Sequence, residues 1–418
     1  MARSLALLMA LALYALLATP TPDNLGVIGF SIGLGLLFAA GVPGLIQVAR
    51  PAQGPAGMPL FIPAARLLLM WGLCVPLLAG LMTGREATFI LRDLVAFICL
   101  LLPLFLWPCL KNWPQADRLF PAMLCMVGII FAVRVLWGAI SEQGGAIRLY
   151  GFISDPDNLL NAPTALFALL YLTGTGGRLL GRASNSRSLL LAFLCFIPVL
   201  ILLAAMLGVG QRAHIGAWGL ALILWAGALI WRCPRALGRI LLLTCPLIVL
   251  LALLPVAGLQ GLLMGLLEKN TLVGFNNRLE EARVVFESFS GQPFWAVLFG
   301  QGWGAGITSP AAGPYPVNYT HSLLTTYLLK TGLCGFMLVL AYLAVLAAGI
   351  WRVLWVFPVG GVALAAPFLI DITLYASFKT LDFGLLLSLI VLWTNWVGSA
   401  RQSCQNGPGW CMQEEYPE

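Results

Sequence analysis

LLLAFLCFIPVLILLAAML, residues Leu189–Leu207, runs for 19 positions without a charged side chain. A helix of that length rises about 28 Å, close to the ~30 Å hydrocarbon core of a bilayer. The stretch therefore reads as a transmembrane helix. Runs of the same kind recur on both sides of it. Of the 418 residues, 60% are hydrophobic and 9% are charged, and the mean hydropathy is +0.94. A soluble domain has no interior large enough to hide that much apolar surface. The composition predicts an all-α polytopic membrane protein.

Working outward, spans are expected at about Leu25–Val48, Ala65–Met82, Asp93–Leu110, Leu119–Ile140 and Leu159–Thr173 before it. About Ile215–Trp231, Ile240–Leu263, Leu333–Trp351, Val356–Ala376 and Leu385–Val397 follow. With Met1–Thr19, read as an uncleaved signal anchor, the count is about twelve transmembrane helices. The chain reads as a single integral membrane domain, 1–418.

Two arginine clusters set the orientation: Arg178, Arg182 and Arg187, then Arg232, Arg235 and Arg239. Short loops rich in Arg and Lys stay cytoplasmic. Both termini are then cytoplasmic, and the polar segment 268–332 lies on the outer face. The net charge of +7 is explained by loop orientation, so no nucleic-acid partner is expected. The ten cysteines lie mostly inside apolar runs, with no CxxC pair, and read as small membrane-buried hydrophobes.

Basic residues on the outer face run against the positive-inside bias and so mark candidate chemistry. Arg212 lies in Gly210-Gln211-Arg212, a tight link between two spans. It reads either as an arginine snorkelling to lipid phosphates or as a guanidinium gripping a phosphate or pyrophosphate. Arg278 and Arg283 fall in an amphipathic helix whose apolar face is expected at 279, 282, 285, 286 and 289. Arg283 has Glu280, Glu281 and Glu287 as structural partners within reach, whereas Arg278 sits beside two asparagines at the helix start. Arg148 is a further candidate contact, in a loop where Asp155-Pro156-Asp157 forms a turn and Asn158 caps the next helix.

The run Phe299–Gly306 holds four glycines, which suit either close approach of backbone to a ligand or a simple bend. His321 is expected in the first turn of an amphipathic helix ending at Gly332, placed to accept a proton from an attacking hydroxyl. His214 reads as a second pocket residue or a plain interface histidine. Two histidines without matching carboxylates make no metal site.

In order along the chain come Arg148-Leu149-Tyr150-Gly151-Phe152 with Asp155-Pro156-Asp157-Asn158, and then Gly210-Gln211-Arg212. Arg278 followed by Leu298-Phe299-Gly300-Gln301-Gly302, and His321 followed by Gly332 and Gly335, complete the series. Together, over about residues 148–340, they resemble the O-antigen ligase and polymerase superfamily of bacterial envelope glycosyltransferases. Ser322 stands where that family often has Asn, Lys330 where an acid is common, and Asp157 where Asn is usual.

The resemblance implies a GT-C-like fold in the bacterial inner membrane and metal-independent glycosyl transfer at the periplasmic face, with no cofactor. The donor would be a glycan on undecaprenyl pyrophosphate. The acceptor would be lipid A–core for a ligase, or a second lipid-linked repeat for an O-antigen or exopolysaccharide polymerase. His321 would be the base, and Arg212, Arg278, Arg148, Arg283 and His214 would surround the substrate and its pyrophosphate. Membrane lipids would be the other partners. A secondary transporter or flippase is the rival class, and it would place Asp93, Arg134 and Asp371 near mid-membrane.

Overall fold

The computed structural model of the protein describes residues 2–19, 27–49, 54–142, 155, 158–182, 186–232, 276–309 and 316–406. The span expected at Ile240–Leu263 and the loop carrying Arg148 lie outside these residues. The helices in the first half are α1 (Ala2–Leu17), α2 (Val27–Ala49), α3 (Phe61–Met82), α4 (Ala87–Leu100), α5 (Leu102–Lys111) and α6 (Ala116–Glu142). Next come α7 (Pro163–Arg182), α8 (Ser186–Val209), α9 (Arg212–Arg232), α10 (Asn276–Glu287) and α11 (Phe294–Phe299). A two-residue antiparallel pair, β1 (Ile307–Thr308) and β2 (Pro316–Val317), precedes α12 (Leu323–Val356), α13 (Pro358–Thr373) and α14 (Leu381–Asn406).

Among the described residues, 7 helical stretches are long and apolar enough to cross a membrane, and Ala2–Leu17 and Pro358–Thr373 are shorter apolar helices. The protein is an all-α membrane protein. The quoted stretch shows why: α8 buries Ala192, Leu202, Ala205 and Met206 while exposing Leu190, Phe193, Leu194 and Ile197. An apolar outer surface is stable only against lipid.

The described residues group into two compact units, Met1–Met123 with Phe275–Glu418, and Leu124–Gly274. In the second unit, a Cβ at Gly128 would lie 2.6 Å from the Thr164 carbonyl oxygen, so the glycine lets α6 touch α7. Gly210, in the left-handed region at φ 74°, turns the chain between α8 and α9. The Gln211 side chain then donates to Asn161 Oδ1 at 2.7 Å. The expected cap at Asn158 is corrected: Asp155 caps this turn, its carboxylate accepting the N–H groups of Leu159 and Leu160. A carboxylate presents two acceptor oxygens and so meets two orphan donors at once, which one amide oxygen meets less well.

The first unit is organised around α3, in which a proline removes one helical donor, and α12, which is broken. Pro76 in α3 has no N–H, so the Gly72 carbonyl loses its helical donor. The Trp303 indole N–H takes that place at 2.8 Å, and the Trp303 backbone N–H bonds the Pro76 carbonyl at 2.9 Å. In α12 the helix is broken rather than ended: Gly332 sits at φ 65°, ψ −173°. The carbonyls of Leu329 and Lys330 accept the N–H groups of Gln301 and Gly302.

The glycine-rich turn is therefore a plug that satisfies backbone groups freed inside an apolar surrounding, where each unsatisfied group costs several kcal/mol. Its glycines are needed for approach. A Cβ at Gly302, where φ is 84°, would lie 2.3 Å from the Gly80 nitrogen, and one at Gly300 would lie 2.4 Å from the Gly332 nitrogen.

One charge pair anchors the same plug. Lys330 Nζ donates to Asp93 Oδ2 at 2.5 Å, with both side chains buried, and the Gly304 N–H donates to the same oxygen at 2.6 Å. Removing one partner of such a pair strands a charge and costs about 3–5 kcal/mol. Gly302→Ala is expected to destabilise the protein by about 2 kcal/mol or more, from left-handed strain plus the clash. Thermal unfolding in detergent checks this, and an unchanged midpoint would contradict the seating of the turn.

Candidate functional site

Helix α10 packs by a stripe of Glu281 and Val285, one helical turn apart. Val285 lies in a small cluster with Ile307 and Leu329, flanked by Val284, Phe289 and Val317. The expected apolar face is corrected in part: Leu279 and Phe286 are 59% and 63% exposed. The helix turns its 281/285 stripe inward because that stripe meets both a hydrophobic cluster and hydrogen-bond donors.

Those donors come from Ser309, just after β1, and from the chain leading into α12. Glu281 Oε1 accepts the Ser309 hydroxyl at 2.5 Å, and Oε2 accepts the His321 backbone N–H at 2.7 Å. His321 Nδ1 lies 3.2 Å and 3.3 Å from the two carboxylate oxygens. Burial pushes the Glu281 carboxyl up, but the hydrogen bonds from His321 and Ser309 outweigh it and hold the group below the ordinary carboxylate range. An ionised carboxylate only accepts, so Nδ1 carries a proton, and in the neutral imidazole Nε2 is the basic nitrogen.

His321 is not in the first turn of α12. Ser322 is the N-cap, accepting the Leu324 N–H and donating to the Ile372 carbonyl, so the histidine stands one residue ahead of the cap. Extended backbone at Ser322 starts the helix late and leaves both the N–H and the ring of His321 free to reach the same carboxylate.

The Glu281–His321 pair lines a cleft of about 650 Å³. Arg85, Arg92, Tyr319 and Lys379 line it as well. The Tyr319 hydroxyl donates to the Arg92 carbonyl at 2.9 Å. Its ring faces three cations: Lys330 Nζ at 4.5 Å, Lys379 Nζ at 4.9 Å and the Arg92 guanidinium carbon at 6.0 Å. Burial, then the charges of Arg92 and Lys330, lowers the Lys379 ammonium to a pKa of about 8.

Compared with family profiles, curated proteins and solved structures, the chain matches none.

Of the residues singled out in the sequence, His321, Arg278 and Arg283 belong to the first unit. Arg283 is exposed and paired with Glu287 at 2.7 Å and Glu280 at 4.0 Å, the structural alternative among its expected roles. Arg278 lies over the Tyr375 ring at 5.7 Å. Neither lines the cleft. Arg212 and the fully buried His214 open α9 in the second unit, and Arg148 lies outside the described residues. No cluster of three His, Cys, Asp or Glu side chains suited to a metal occurs among the described residues.

Sequence reasoning missed Glu281, Ser309, Arg85, Arg92, Tyr319 and Lys379 as site residues. Arg85 and Lys379 carried a signal, since both fall in expected outer loops. Glu281 carried none: it is one of three acids within eight positions, and only burial separates it from the others.

Glu281→Gln is expected to lower stability at neutral pH by about 1–3 kcal/mol, because one amide oxygen replaces two charged acceptors. The folded carboxyl lies below its ordinary 4.5. Its contribution is therefore complete above that pH and is lost as pH falls through the folded value. Unfolding midpoints compared across pH check this: the gap between variant and wild type should narrow in acid.

Proposed function

We propose that the protein is an O-antigen ligase. In this reading it transfers a glycan from undecaprenyl pyrophosphate to lipid A–core at the periplasmic face of the bacterial inner membrane. The observation that carries the reading is the Glu281–His321 pair, with its basic Nε2, on the wall of a cleft rich in cations.

The chemistry follows from that pair. The acceptor hydroxyl gives its proton to His321 Nε2 as its oxygen bonds to the anomeric carbon of the donor sugar. The bond from that carbon to the pyrophosphate oxygen breaks, and the electron pair leaves with undecaprenyl pyrophosphate. Glu281 stabilises the imidazolium that forms and holds the ring in place. Cations at the leaving group offset its growing charge. The resemblance assigns that task to Arg212 and Arg278, with Arg148, Arg283 and His214 as further substrate contacts.

His321→Ala is expected to abolish glycan attachment, a loss of roughly 100-fold or more, with protein level unchanged. Lipopolysaccharide from a deletion strain carrying the variant is the measurement. Wild-type attachment would remove the base role. The deletion strain also tests the acceptor: free lipid-linked polymer supports a ligase, and single-repeat caps would replace that reading with a polymerase.

A further inference from the structure

We propose that residues 288–306 form a re-entrant segment reaching the middle of the bilayer, and that α11 docks there with Phe294, Trp295 and Phe299 against the acyl chains of one leaflet.

The sequence permits this. From Ser288 to Thr320 there is no Asp, Glu, Lys or Arg. Hydrocarbon excludes charges, and it admits irregular backbone only where the polar groups find partners. Throughout the turn they do. The N–H groups of Gly300, Gln301, Gly302 and Trp303 bond the carbonyls of Ala296, Leu329, Lys330 and Pro76, and the Gly304 N–H bonds Asp93.

The depth follows from the helices that hold the segment. Helix α3, Phe61–Met82, is long and apolar enough to cross a membrane. The Phe299 ring meets the Trp71 ring at 6.0 Å, and Trp71 lies eleven residues before the Met82 end. At ~1.5 Å per residue that is about 16 Å from the end, half of a ~30 Å core. Helix α12 gives an independent measure. A Cβ at Gly332 would lie 2.3 Å from the Gly300 nitrogen, so the two backbones touch. Gly332 is nine residues past Leu323, about 14 Å along that helix.

The chain then climbs back. The Trp303 N–H meets Pro76, and a Cβ at Gly304 would lie 2.9 Å from the Arg85 Cβ, past the end of α3. Both limbs return to one side, since Glu281 before the segment holds His321 after it. The segment 268–332, expected on the outer face, thus lies partly within the membrane.

At that depth the outward face of α11 meets lipid. Phe294, Trp295 and Phe299 are 64%, 66% and 37% exposed. The helices that hold the segment expose Leu73 and Leu78 on α3 and Leu333 and Met337 on α12 over the same range of depth, so α11 joins a surface already apolar. Such a surface is stable against acyl chains. Glu281 precedes the segment and Ser309 and His321 follow it, so lipid helps to seat the site. The docking face does not depend on which reaction the cleft performs.

The test is photo-crosslinking of the full-length protein in phosphatidylcholine nanodiscs, with benzoylphenylalanine placed singly at Phe294, Trp295, Phe38 or Phe120. Phe38, 59% exposed on the membrane-crossing α2, is the lipid-facing control, and the fully buried Phe120 is the protein-facing one. Each replacement keeps an aromatic ring, and size-exclusion elution checks the fold. Positions 294 and 295 are expected to give phospholipid adducts on the acyl chains by mass spectrometry, in a yield comparable to position 38, and position 120 none. Adducts confined to the headgroup would place α11 at the membrane surface and overturn the re-entrant segment. Adducts only to protein, whether to this chain or to a second copy, overturn the lipid-docking face. So does the absence of any lipid adduct at 294 and 295 while position 38 gives one.

Discussion

A helix that breaks in an apolar surrounding must find new partners for the backbone groups it frees. That constraint governs the first unit. Pro76 removes a donor inside α3 and Gly332 breaks α12, and the turn Gly300–Gly304 enters to satisfy both. The Lys330–Asp93 pair closes the same junction. The Lys330 charge is matched by Asp93 on α4.

The candidate site hangs from that junction. With the turn locked to two apolar helices, the segment on either side of it is held as well. Before it comes α10 with Glu281. After it come Ser309 and the strand pair, and then His321 just ahead of a capped helix. A loop of this kind, left free, would hold a histidine loosely. Tied by its backbone N–H and ring nitrogen to one buried carboxylate, which a neighbouring serine also holds, the ring has one orientation and one open nitrogen.

The cleft also shows how electrostatics is divided. Cations near acids are used for structure, as at Arg283 and Lys330. Among the described residues no ion pair reaches Arg85, Arg92 or Lys379, and Glu86 and Glu281 share their cleft. Burial, with Arg92 and Lys330 close by, lowers the Lys379 ammonium to a pKa of about 8.

Membrane character and helical class were readable directly, because the length and apolarity of runs such as Leu189–Leu207 depend on composition alone. His321 as a candidate was readable for the same kind of reason, and Gly332 was readable as a helix end, which the structure turns into a break inside one helix. The tertiary structure alone decided which acid meets the histidine, since Glu280, Glu281 and Glu287 are chemically alike and only packing of the 281/285 stripe buries one. It also decided that the glycine-rich turn serves the proline site of α3 and the break in α12, and that Arg85, Arg92 and Lys379 share one cleft with Tyr319. Tyr319 and Arg92 are 227 positions apart along the chain. No local pattern records which distant backbone carbonyl lacks a donor or which distant cations share a ring.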